Sequence, residues 1–163
     1  MKSYIIIGMP GSGKTTIGRA AAEMTGYDFI DLDSEITRQH GDITSIFKDE
    51  GEEVFRLYET QALKSALDHP KTLVSTGGGI IEKDINRKLL KRHKVLFIDR
   101  TLENIYSTLD SDSRPLLKGK REALGELYER RYPMYIEAAD YVVKNDGSFS
   151  ECVKKIIKII SQE

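Results

Sequence analysis

The chain has 163 residues, enough for one domain with a real core, and its 25 basic and 26 acidic residues leave a formal charge of −1. No basic excess points to nucleic acid or an anionic membrane, and the single cysteine, Cys152, excludes a disulfide framework and a cysteine-based metal site. Apolar stretches fall far short of the roughly 20 residues a membrane span needs, and the opening MKSYIIIG is too short for a signal peptide, so a soluble cytoplasmic protein is expected.

The first apolar run, Ser3–Gly8, reads as a strand and leads directly into GMPGSGKT, Gly8 to Thr15. A helix pattern follows over Thr15–Thr25, with Gly26 as its stop. Gly8, Gly13, Lys14 and Thr15 fill the pattern G-x-x-x-x-G-K-[ST], between the strand and helix that this motif requires. Glycines let backbone N–H groups turn toward phosphate oxygens, and the new helix points its positive end at the anion. Gly11, Ser12, Gly13, Lys14, Thr15 and Thr16 are therefore the candidate nucleotide contacts. Lys14 would meet the β/γ-phosphates, and the Thr15 hydroxyl would ligate Mg2+.

DFIDLD, Asp28–Asp33, reads as the second strand. In extended chain Asp31 and Asp33 point to one face, at the strand end where open α/β sheets bind ligands. One carboxylate suits a metal region and the other a proton acceptor for a substrate hydroxyl; the plain alternative is an Asp-rich turn capping the next helix. A long helical stretch follows, Ile43–Leu67, carrying Ile46, Phe47, Phe55, Leu63 and Leu67 among charges. Glu52 and Arg56 are spaced i,i+4, and Arg56 and Glu59 i,i+3, spacings that plain surface ion pairs also use. Phe47 and Phe55 share a face, and core packing would explain them equally well.

Thr72–Gly77 is the third strand and runs into Gly77, Gly78 and Gly79. Three glycines cost entropy, and they make sense where backbone approaches a ligand closely; a flexible turn is the alternative. This strand lacks a terminal acid, with Ser75 the only polar group placed for its role, which argues against common motor and switch ATPases. Helix Lys83–Arg92 and strand Lys94–Asp99 come next. Leu109–Glu122 is the most loop-like region, with Arg114, Lys118, Lys120 and Arg121 against Asp112. An arginine there could close over a γ-phosphate, or the segment could be a solvated loop. Helix Glu122–Ala139 contains Arg130 and Arg131 before Pro133, either suited to a bidentate grip on a carboxylate or to a helix end. A short strand, Tyr141–Val143, precedes SECVKKIIKII, whose Val153, Ile156, Ile157 and Ile160 form one stripe, with Cys152 a small apolar neighbour. Strands alternating with helices imply right-handed βαβ units and an α/β fold with a parallel sheet.

Taken together, GMPGSGKT, DLD, FKDEGEEVFRLYE, GGG, SRPLL and RYPMY resemble the shikimate kinase family, in its order and approximate spacing along the whole chain. The resemblance implies a three-layer αβα P-loop fold of the nucleoside-monophosphate-kinase type. Its sheet would be five-stranded and parallel, in order 2-3-1-4-5, within a single domain 1–163. A substrate-binding segment would lie at about 31–60 and a mobile lid at about 109–122. The implied reaction moves the γ-phosphoryl of Mg·ATP to the 3-hydroxyl of shikimate, a step toward chorismate and the aromatic amino acids. By position, Lys14 matches the phosphate-binding lysine, Thr15 the Mg2+ hydroxyl and Asp31 the acid near the metal. Asp33 matches the acid that holds the reacting hydroxyl and acts as base. Arg56 and Arg131 match the pair that grips the shikimate carboxylate, with Glu59 positioning Arg56. Gly77, Gly78 and Gly79 match the triplet whose backbone meets substrate, and Arg114 matches the arginine that reaches the phosphates. Phe47 and Phe55, from the F-x-x-x-G-E-x-x-F-R segment, join the substrate-binding set. The pattern departs at Ser107, where the family commonly has an arginine stacked on adenine; Lys144–Glu151 is expected to form the rest of that pocket. Another small-molecule kinase of this fold, such as a gluconate kinase, would share the phosphate loop and lid without needing the arginine pair and the glycine triplet. A monomer is expected from the small size.

Overall fold

The computed structural model describes residues 2–111 and 118–163. Its centre is a parallel sheet of β1 (Tyr4–Ile7), β2 (Asp28–Asp31), β3 (Thr72–Ser75), β4 (Lys94–Asp99) and β5 (Tyr141–Lys144), in the spatial order β2-β3-β1-β4-β5. The helices are α1 (Lys14–Thr25), α2 (Leu32–His40), α3 (Ile43–Asp49), α4 (Glu52–Leu67), α5 (Asp84–Leu90), α6 (Leu102–Ser111), α7 (Lys118–Ala138) and α8 (Phe149–Gln162), with a 3-10 turn at Ile80–Glu82.

Unbroken apolar runs form β1, β3 and β4 because both faces of these strands are covered. The two-residue period divides the side chains cleanly. Ile5, Ile7, Val74, Val95 and Phe97 pack with Leu32, Leu63 and Tyr135 on one face. Tyr4, Ile6, Leu73, Leu96 and Ile98 pack with Ile17, Ala21, Val153 and Ile156 on the other. Cys152 is buried in the second layer, as its place in the apolar stripe of α8 requires. Among the described residues no helix is long and apolar enough to cross a membrane.

The order 2-3-1-4-5 matches the expectation from the sequence, whereas several element ends differ. The second strand stops at Asp31 rather than Asp33, because Leu32 and Ile36 bury themselves as the inner face of a helix that starts there. The expected helix Ile43–Leu67 is two helices: Gly51 takes φ +93°, a left-handed conformation that cannot continue an α-helix. The third strand ends at Ser75, two residues before the glycines. Of the expected loop-like lid Leu109–Glu122, the first three residues belong to α6 and Lys118–Glu122 to α7, and residues 112–117 lie outside the described residues. Pro133 lies inside α7 rather than ending it, which places Arg131 in a helix interior.

Candidate active site

A cleft of about 320 Å3 opens at the C-terminal ends of β1 and β3, lined by Pro10, Gly11, Lys14, Thr15, Asp33 and Gly77 among others. A larger hollow of about 540 Å3 lies at the opposite end of the sheet, between Lys2, His69, Lys91 and His93, and holds none of the motif residues. Chemistry rather than size therefore selects the smaller cleft.

The Gly-rich loop folds over the end of β1. Ser12 donates its N–H to the Met9 carbonyl at 3.1 Å, and Gly13, at φ +93°, is the residue from which α1 starts. No side chain caps that helix start, so it remains available to an anion. Lys14 is buried and donates to the carbonyls of Gly8 and Met9, each at 2.9 Å. Its burial draws the ammonium pKa down to about 8, against an upward pull from Asp33. The Thr15 hydroxyl lies 3.3 Å from that of Ser75, and Asp31 is the register partner of Ser75 across the β2–β3 pair. Thr16 faces the same cleft. The Ser12 side chain turns inward and is fully buried, with its hydroxyl unpartnered. On the outer side of the loop, Arg100 donates to the Gly11 carbonyl at 2.7 Å and Asn145 to that of Ser12 at 2.8 Å.

Asp31 and Asp33 come together, but not by strand alternation. Asp31 is the last residue of β2, and Asp33 sits in the first turn of α2. The Asp31 carboxylate accepts from the Ser34 hydroxyl at 2.8 Å and makes no backbone cap bond. Asp33 is free to face the cleft, where burial raises its pKa, Asp31 adds to the rise, and Lys14 and Arg56 oppose it. Such a carboxyl is poised to take a proton.

The glycine triplet is where the charged groups converge. A Cβ on Gly77 would lie 3.1 Å from both Asp33 Oδ1 and Glu59 Oε2. On Gly78 it would lie 2.7 Å from the Pro10 ring and 3.1 Å from Arg131 Nη1, and on Gly79 only 2.5 Å from Arg56 Nη1. The triplet is thus a floor without side chains, against which the carboxylates and guanidiniums lie. This packing replaces the flexible-turn alternative with a steric reason for each glycine.

Arg56 donates to Glu59 at 2.9 Å, and both are buried, so this is not a solvated surface pair. Burial pushes the Glu59 carboxyl pKa up, with Arg56 pulling it back. Arg131 is also buried, and Tyr135, which closes the R-x-P-x-Y pattern, donates to the Gly78 carbonyl at 2.6 Å. Phe47 and Phe55 meet across the α3–α4 break with ring centroids 4.6 Å apart. Phe55 is core, whereas Phe47 is exposed, and the Arg56 guanidinium lies over the Phe55 ring.

Sequence reasoning missed Glu82. It lies one 3-10 turn beyond Gly79 and accepts from Arg131 at 2.8 Å and Arg130 at 2.6 Å. The spacing GGGIIE held the only local signal. Ser107 is exposed on α6, beside Thr108, which accepts from Arg100. Arg114 lies outside the described residues.

The oxygen set of Thr15, Asp31, Asp33 and Ser75 suits a hard divalent cation, although no three His, Cys, Asp or Glu side chains among the described residues group closely enough to hold one by themselves. That combination fits Mg2+, which keeps waters and substrate phosphates as most of its ligands.

The model of one family, described as shikimate kinase, matches residues 10–161. A shikimate kinase of Clostridium botulinum (strain Alaska E43 / Type E3) is 40% identical over 162 residues, covering 98% of each chain. The solved shikimate kinase of Acinetobacter baumannii, in complex with shikimate, superposes with TM-score 0.90 at 34% identity, covering 99% of this chain and 94% of that one. A gluconokinase from Sinorhizobium meliloti shares the fold, with TM-score 0.68 at 17% identity over 99% and 92% of the two chains.

Proposed function

The chain belongs to the shikimate kinase family, and on that premise we propose how its own residues phosphorylate the 3-hydroxyl of shikimate from ATP to give shikimate 3-phosphate and ADP. The observation that carries the substrate assignment is the pair of buried arginines, Arg56 and Arg131, lying against Gly79 and Gly78 beside Asp33. A ring bearing a carboxylate and hydroxyls needs cations for the first and an acid for the second.

In this reading the loop Gly11–Thr16 and Lys14 hold the phosphates, and Arg56 and Arg131 grip the carboxylate. Glu59 fixes the Arg56 guanidinium, so its grip costs little ordering on binding. Asp33 accepts the proton of the 3-hydroxyl as its oxygen bonds to the γ-phosphorus and the bond to the ADP oxygen breaks. Thr15 and Asp31 would hold Mg2+, which when bound neutralises charge on the phosphates. Arg114 is assigned to the transferring phosphate by its position in the motif. Positioning and charge neutralisation carry this reaction, because phosphoryl transfer asks little covalent help of the protein. We assign the product to the route toward chorismate and the aromatic amino acids, and the enzyme to the cytoplasm as a monomer.

The test is an ADP-release assay with shikimate, gluconate and nucleoside monophosphates side by side. Turnover with shikimate alone is the expected result. Turnover with gluconate and none with shikimate would overturn the assignment.

A further inference from the structure

Glu82 connects the two arginines assigned to the substrate carboxylate. The turn Ile80–Glu82 brings the Glu82 N–H to the Gly79 carbonyl at 3.1 Å, which stacks residue 82 over residue 79. The Arg56 guanidinium lies against Gly79, so Glu82 Oε2 comes within 3.8 Å of Arg56 Nη2. The same oxygen accepts from Arg131 Nη2 at 2.8 Å, and the second oxygen accepts from Arg130 Nη2 at 2.6 Å. One carboxylate oxygen thus bridges Arg56 and Arg131, the disposition a substrate carboxylate would need.

We propose that Glu82 is an affinity-setting residue: an internal carboxylate that occupies the arginine pair of the empty site and yields Arg131 to the carboxylate of the substrate. This rests on the carboxylate-gripping role given above to Arg56 and Arg131. Three features make the exchange workable. Arg131 has a second donor, Nε, buried and without a partner, so its hydrogen-bonding capacity is only part-used while Glu82 holds Nη2. Arg130 is 55% exposed on its side chain and already binds the other Glu82 oxygen, so it retains Glu82 when Arg131 is taken. Glu82 is itself only 22% exposed, so its charge competes with little screening by water. Arg130 is then the alternative partner that keeps the displaced carboxylate from an unpaired state.

The two residues act in opposite directions, and that is the test. Steady-state kinetics of wild type, Glu82→Gln, Arg130→Ala and the double variant should separate them. Glu82→Gln keeps the shape and loses the competing charge, so KM for shikimate should fall by about 3- to 10-fold. The KM for ATP and kcat should stay within about 2-fold, since Glu82 touches neither the phosphate loop nor Asp33. Arg130→Ala leaves Glu82 with only the substrate arginines and should raise the shikimate KM; in the Glu82→Gln background it should change nothing. A raised or unchanged shikimate KM in Glu82→Gln would overturn the proposal, because Glu82 would then only brace the arginines. An Arg130→Ala effect that persists in the double variant would overturn it too. Wild type without shikimate turnover would instead defeat the functional reading itself, and this proposal with it.

Discussion

At the scale of single residues, the site places ionisable groups where burial works against their charge. Asp33 and Glu59 both have raised carboxyl pKa values, burial being the leading cause in each. The native state therefore binds more protons than the unfolded chain above the ordinary carboxyl range. Stability from these groups is greatest below their unfolded pKa values and falls as pH rises through the folded ones. Ionising them in the folded state therefore costs stability. Asp33→Asn removes one of them and also the proposed proton acceptor. It should raise the melting temperature on the alkaline side of the carboxyl range while lowering kcat by about 100-fold or more. Thermal denaturation and initial rates measure the two effects. A kcat near wild type would remove Asp33 from the role of base.

At the scale of elements, the turn after β3 joins the two halves of the site. Gly78 packs against Pro10 of the phosphate loop and against Arg131, whereas the atoms nearest Gly79 are those of the Arg56 guanidinium. A Cβ added at Gly78 must shift a proline ring, and one added at Gly79 must shift a guanidinium that Glu59 holds. Gly78→Ala should therefore raise KM for both substrates, and Gly79→Ala should raise it about 10-fold for shikimate with little change for ATP. Equal changes for both substrates in Gly79→Ala would contradict this division. The elements also show what could be read without a structure. Three apolar runs, those of β1, β3 and β4, and one Gly-rich loop announce the middle of the sheet and the phosphate site, because buried parallel strands tolerate little else, whereas the edge strand β2 is only partly covered. Helix α2 is short and follows β2 without a break, with only Leu32 and Ile36 of its nine residues buried, so DFIDLD reads as one extended run. Asp33 reads from sequence as extended chain, although the helix turn delivers it to the same cleft. Glu82 was invisible because its partner Arg131 lies 49 residues away, and no local pattern encodes that distance.

At the scale of the whole molecule, the sheet order sets the site. β1 and β3 are neighbours at the centre, so the phosphate loop after β1 and the glycine triplet after β3 emerge side by side. Helix α7 carries Arg131 across this end, and α4 brings Arg56 to it. The topology therefore builds two adjoining halves, the phosphate loop and the arginine pair proposed for the carboxylate, that share few side chains. Calorimetry of Arg131→Ala against each substrate tests this separation. Titration with shikimate, and separately with a non-hydrolysable ATP analogue plus Mg2+, should show shikimate binding weakened by about 100-fold and nucleotide binding within about 2-fold of wild type. Equal losses for the two ligands would contradict the account.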